Sequence, residues 1–180
     1  RKFKNTEIWS RGVNHEKFSK FNKLNLGKGP IFSYIGRVAT EKNVEAFLKI
    51  KLDGTKVVVG DGPQLNSLKK KYPDVNYVGY QHGQDLVDYY ASSDVMVFPS
   101  LTDTFGNVIT EANATGTPVA AFNVIGPKDI IVNGINGYIG DDLKSNIINC
   151  INLDRTKCQE YTKKFNWKEC SRVFYDNIVA

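Results

Sequence analysis

Val95-Met96-Val97-Phe98-Pro99-Ser100-Leu101-Thr102-Asp103-Thr104-Phe105-Gly106-Asn107-Val108-Ile109-Thr110-Glu111-Ala112 carries the plan of this chain. Its apolar start reads as a buried strand over Asp94 to Phe98. Pro99 and the polar residues after it make a turn. A helix from about Phe105 to Ala114 follows, with Gly106 in its first turn and Gly116 as its stop. Such a strand–turn–helix unit aims backbone N–H groups and the positive helix end past the strand, where an anion fits. Two carboxylates lie eight residues apart, Asp103 in the turn and Glu111 two helical turns later on the flank, where Glu111 can accept bonds from hydroxyls. Phosphate beside polyhydroxyl is the make-up of a nucleotide sugar. Spacing alone leaves plainer uses open: Thr102, Asp103 or Thr104 as an N-cap, and Glu111 as a helix-surface acid.

The same unit recurs on both sides of this stretch. Strands are expected at 31–36, 56–60, 75–78 and 118–122, with a short sixth near Tyr138 and Ile139. Helices are expected at 41–50, 64–71 and 85–91, and from Leu143 to the C-terminus with breaks near 152–154 and 165–166. Repeated β-α units of this length specify an α/β fold with a doubly wound parallel sheet of about six strands. Ligands of such sheets bind beyond the carboxyl ends of the strands. The loops after Gly36, Gly60, Val78, Phe98 and Phe122 should therefore form one rim. Residues 1–30 read as an irregular lead-in, 31–165 as the α/β domain and 166–180 as a terminal helix.

With 180 residues, 41% hydrophobic and 24% charged, the chain has the make-up of one globular domain with a full core. No apolar run nears the roughly 20 residues that span a bilayer, and no signal-peptide pattern occurs. The net charge of +5 suits anionic ligands or an anionic membrane surface without requiring nucleic acid, for which no basic stripe or motif is present. Cys150, Cys158 and Cys170 are odd in number and lack a CxxC or His cluster, so they are expected as small apolar fillers in a reducing compartment. The GxSxG, HExxH and Walker A patterns are absent. Without an Asp-x-Asp, no metal site is expected. The chain opens at Arg1 and its one methionine is Met96, so it is expected to be part of a longer protein.

Other rim loops add candidates. Gly36-Arg37-Val38-Ala39-Thr40-Glu41-Lys42-Asn43 puts Lys42 in the first turn of the next helix, where the dipole disfavours a cation unless an anion binds there. Arg37 would add a second charge. Equally, Lys42 can be solvated beside Glu41, with Arg37 paired to a surface acid. Gly60-Asp61-Gly62-Pro63 lacks the third glycine of a dinucleotide loop, which argues for a plain turn and against a nicotinamide oxidoreductase. Tyr80, Gln81 and His82 offer an aromatic face and polar groups where a base could sit. All of these features fall on the same rim.

Taken in order, Gly36-Arg37 with Glu41-Lys42-Asn43, Val58 to Pro63, Val78-Gly79-Tyr80, Ser93 to Ser100, Asp103-x7-Glu111-Ala112 and Gly116-x-Pro118-Val119 form a set. It resembles the C-terminal, donor-binding half of glycosyltransferase family 4, retaining enzymes of the GT-B fold whose halves are Rossmann-like. Arg11-Gly12-Val13-Asn14 is similar to the family's segment between its two domains.

The resemblance implies roles. Arg37 and Lys42 would neutralise the donor diphosphate as leaving group, and Asp103, where the family more often has Glu, would bond the transferred sugar. Glu111 would hold the ribose, and Tyr80, Gln81 and His82 would border the base. Thr104, Phe105, Gly106, Asn107 and Val108 would grip phosphate and sugar, largely through backbone N–H groups. The Asp-Thr-Phe-Gly version goes with GDP-mannose rather than a UDP-sugar, and with transfer of α-mannose to envelope lipids or polysaccharides such as lipopolysaccharide core. The resemblance implies no metal, retention of configuration, and a cytoplasmic enzyme at the inner face of the membrane. The acceptor site and a sugar-contacting histidine would come from an N-terminal domain lying before this chain, so the fragment alone should be inactive. The segment with Trp167, Phe174 and Tyr175 resembles the helix that packs on that domain, and some of these aromatics should then be unusually exposed. The alternative is a non-catalytic nucleotide- or carbohydrate-binding module, with Asp103 marking lost activity.

Overall fold

The computed structural model describes residues 10–178. Its six strands are β1 (Ile31–Ile35), β2 (Thr55–Val59), β3 (Asn76–Gly79), β4 (Val95–Phe98), β5 (Val119–Ala121) and β6 (Gly137–Ile139). They form one parallel sheet in the order β3-β2-β1-β4-β5-β6. The chain builds outward from β1 to β3, then returns to lay β4 on the other side of β1. That reversal makes the β1/β4 boundary the switch point where a crevice must open.

The helices are α1 (His15–Ser19), α2 (Val44–Leu48), α3 (Leu65–Lys71), α4 (Gly83–Ser92), α5 (Asn107–Ala114), α6 (Pro127–Ile130), α7 (Leu143–Cys150), α8 (Arg155–Thr162) and α9 (Trp167–Ile178). Period-two alternation along the strands divides the core in two. Ile35, Val57, Val59, Met96 and Phe98 face Val87 and Tyr90 of α4 and Ile109 and Ala112 of α5. Phe32, Tyr34, Val58, Val95 and Val97 face Phe47 of α2, Leu68 of α3 and Ile147 of α7. With both faces covered, the central strand β4 is apolar throughout and all four of its residues are buried.

The structure departs from the expected elements in four places. The lead-in is ordered where described: Asn14 caps α1 by accepting from the Lys17 N–H at 3.0 Å, and Phe18 packs edge-on against Tyr90 with centroids 6.0 Å apart. The helix expected over 41–50 is split into a 3-10 turn, Thr40–Lys42, and α2, because Asn43 takes the left-handed conformation with φ 52°. The central helix begins only at Asn107, with Gly106 outside it as the N-cap at φ 87° and no side chain capping it. Finally, α6 is an extra turn with Pro127 at its start, where the missing N–H is harmless.

All three cysteines are buried. In α9, Trp167 is 52% exposed, Phe174 48% and Tyr175 65%, the exposure expected of them.

Candidate active site

A two-lobed cleft opens at the switch point. The lobes, of about 300 and 400 Å3, share Ile35, Gly36, Arg37 and Val108 as a common wall. The rim is built by stitching two loops together. The Gly36 N–H donates to the Val59 carbonyl at 2.9 Å and the Val38 N–H to the Asp61 carbonyl at 2.8 Å. At Gly60, with φ +137°, a Cβ would lie 1.9 Å from the Gly36 carbonyl oxygen, so no other residue fits without moving the backbone. Gly60-Asp61-Gly62-Pro63 is thus the plain turn, with Asp61 also lining the second lobe.

In the first lobe the 3-10 turn is tied to the loop after β4. The Asn43 side-chain amide donates to the Pro99 carbonyl at 3.1 Å, and the Ser100 hydroxyl to the Glu41 carbonyl at 3.3 Å. This bracing brings Lys42 Nζ to 2.6 Å from Asp103 Oδ1, a partly buried pair joining residues 61 apart in sequence. Asp103 Oδ2 is buried without a hydrogen-bond partner in the described structure. Asp103 therefore does not cap α5; it lines the lobe with one oxygen held by Lys42 and the other buried and unpartnered. Lys42 is likewise not in the first turn of a helix, since its N–H closes the 3-10 turn on Ala39 at 3.0 Å. Its placement comes from that turn and not from a dipole conflict. Arg37 pairs with Glu41 on the exposed rim, as the plainer reading had it. At the lobe's floor, the Asn107 and Val108 N–H groups stand at the start of α5 with no intrahelical acceptor.

In the second lobe, Glu111 is tied from below. Its Oε2 accepts a 2.8 Å hydrogen bond from the hydroxyl of Tyr90, which is fully buried. Burial raises the Glu111 carboxyl above its ordinary range, with the Tyr90 bond and the Lys17 charge opposing. The Tyr90 hydroxyl is pushed well up by burial and then by the Glu111 charge. Tyr80 is largely exposed at the lobe's edge and stacks on His82, centroids 6.1 Å apart and planes 16° apart. Gln81 is fixed by donating to the Val78 carbonyl at 3.0 Å.

Every residue singled out in the sequence lines one lobe or the other, except His82, which stands behind Tyr80 as the N-cap of α4. The sequence did not point to Arg11 or Tyr34 in the first lobe, or to Tyr90 beneath Glu111. Tyr34 shapes the loop by donating to the Arg37 carbonyl at 2.6 Å.

Sheet order and cleft together define a doubly wound α/β domain with an anion-suited crevice at its switch point. The chain belongs to the family described as glycosyl transferases group 1, which it matches over residues 29–152. It is 36% identical over 143 residues to a GDP-mannose-dependent alpha-mannosyltransferase of Corynebacterium glutamicum, covering 74% of this chain and 35% of that protein. The namesake from Mycobacterium tuberculosis is 35% identical over 141 residues, 73% of this chain and 37% of that one. The chain thus spans about a third of the length of these relatives. The solved structure of Anabaena Alr3699/HepE in complex with UDP superposes with a TM-score of 0.77 at 18% identity, over 93% of this chain and 56% of that one, which shows a shared fold.

Proposed function

We propose that this chain is the donor-binding half of a retaining GT-B glycosyltransferase that moves mannose from GDP-mannose to an envelope lipid or polysaccharide. One observation carries the reading. The cleft is continuous, with Lys42, Asp103 and the α5 N-terminus in one lobe and Glu111 and Tyr80 in the other. That is the sequence of environments that sugar, diphosphate, ribose and base require. The names of the two curated relatives support GDP-mannose over a UDP-sugar.

The diphosphate binds against the Asn107 and Val108 N–H groups, with Arg37 and Lys42 as cations. Arg37 can leave Glu41 at little cost, because an exposed pair is worth only about 0–1 kcal/mol, whereas phosphate offers a bidentate partner. Asp103, whose buried Oδ2 lacks a partner, turns that acceptor to a hydroxyl of the transferred hexose when the donor binds. Glu111 accepts from the ribose hydroxyls while Tyr90 holds it in place. As the glycosidic bond breaks, negative charge grows on the departing phosphate, where Arg37, Lys42 and the helix N-terminus stabilise it. The acceptor hydroxyl attacks from the same face, which keeps the anomeric configuration.

The acceptor and the opposite wall of the cleft come from an N-terminal domain, on which the exposed face of α9 packs. This chain alone then binds nucleotide weakly and transfers nothing. No helix of the described residues is long and apolar enough to cross a membrane. In this proposal a lipid acceptor is met at the cytoplasmic membrane face. The test is transfer by the full-length protein from a panel of radiolabelled nucleotide sugars. Transfer of mannose from GDP-mannose is expected; transfer from no donor refutes the reading.

A further inference from the structure

Four charged side chains line the first lobe: Arg11, Arg37, Lys42 and Asp103. Lys42 is paired with Asp103 and Arg37 with Glu41. Arg11 alone among them makes no ion pair within the described residues. An exposed, unpaired arginine is ordinary on a surface; the backbone beneath this one is not. On one side, the Ser10 hydroxyl lies 3.4 Å from the Cys170 sulfur in α9. On the other, the Val13 N–H donates to the Phe165 carbonyl at 2.9 Å, and Val13 bridges Asn166. Between them, Gly12 runs so close to the α8–α9 turn that a Cβ would meet the Trp167 nitrogen at 2.4 Å. Phe165 in turn packs edge-on against Phe105, centroids 6.4 Å apart, immediately before α5. The segment carrying Arg11 is thus clamped to the layer that backs the α5 N-terminus, and Arg11 lines the lobe.

We propose that Arg11 is a third diphosphate-binding cation, reaching the phosphates from the α8–α9 side while Arg37 and Lys42 reach them from the β1 side. The proposal rests on the donor reading above. A guanidinium brings two parallel N–H donors to a phosphate, and no carboxylate has to be displaced first. The lobe that would take the base is excluded as its target, since Arg11 does not line it.

The test is calorimetric titration of GDP, GMP and guanosine into the full-length protein, as wild type, R11A, R11K and K42A. R11A should weaken GDP at least tenfold and leave guanosine within twofold, with R11K intermediate and the loss shrinking at high salt. If R11A binds GDP within twofold of wild type while K42A loses tenfold, the donor reading stands and the Arg11 assignment falls. If R11A weakens GDP and guanosine equally, Arg11 acts on the fold and the assignment also falls. If neither R11A nor K42A changes GDP binding, the donor reading itself is wrong.

Discussion

The hydrogen bond from Tyr90 to Glu111 gives the sharpest quantitative expectation. Tyr90 lies wholly inside the core, so Tyr90→Phe keeps the ring packing and removes only the hydroxyl. What is lost is a 2.8 Å O–H···O bond to a carboxylate that burial already disfavours. Hydrogen bonds to charged groups contribute about 1.5–3 kcal/mol. The two groups should therefore couple by about that much in a cycle of wild type, Tyr90→Phe, Glu111→Ala and the double variant. Urea unfolding of the 180-residue chain at neutral pH measures it. With m near 2 kcal/mol/M, the coupling appears as about 1 M in the sum of midpoint shifts. A coupling below about 0.5 kcal/mol, the scatter expected for independent sites, would refute the claim that Tyr90 holds Glu111.

Other expectations follow from the same geometry. Because burial raises the folded-state pKa of Glu111 above its ordinary 4.5, its contribution to stability is full below that value and lost as pH rises through the raised one. Glu111→Gln should gain urea midpoint relative to wild type between pH 4 and 7; an unchanged difference contradicts the shift. Asp103→Asn should lower mannose transfer by about a hundredfold but leave the GDP affinity of the full-length protein within threefold, since GDP has no hexose for Asp103 to hold. Gly60→Ala should destabilise the 180-residue chain by about 2–4 kcal/mol, because its methyl group would overlap the Gly36 carbonyl. Tyr175→Ser should change the stability of this chain by less than about 0.5 kcal/mol, yet lower the thermal midpoint of the full-length protein; equal effects in both would argue against α9 as a domain contact.

The sheet was legible because a parallel sheet covered on both faces writes its strands as mostly apolar runs: 95–98 is apolar throughout, 31–35 is broken only by Ser33, and 55–59 ends in three buried valines. The parallel, doubly wound sheet followed from β-α alternation, and the rim from where such sheets place their ligands. What escaped was decided by contacts distant in sequence. Lys42 and Asp103 pair across 61 residues, and nothing near either one announces the other. Asn43 looked like an ordinary helical residue, and its left-handed conformation shows only once its amide is seen bonded to the Pro99 carbonyl. Arg11 sat in a stretch that read as linker because its anchors, Phe165 and Cys170, come more than 150 residues later. Tyr90 fitted the apolar face of α4, and periodicity does not reveal that its hydroxyl ends on Glu111. The N-cap of α1 was readable from Asn14 and was missed for want of a long apolar repeat after it.

In the proposed complex the cleft holds a nucleoside diphosphate with its phosphates on Lys42 and its ribose on Glu111. Calorimetric titration of GDP into the full-length protein, beside Lys42→Ala and Glu111→Ala, tests it most directly. Wild type should bind, and each variant should lose at least tenfold in affinity. Binding of GDP by both variants as tightly as by wild type would contradict it.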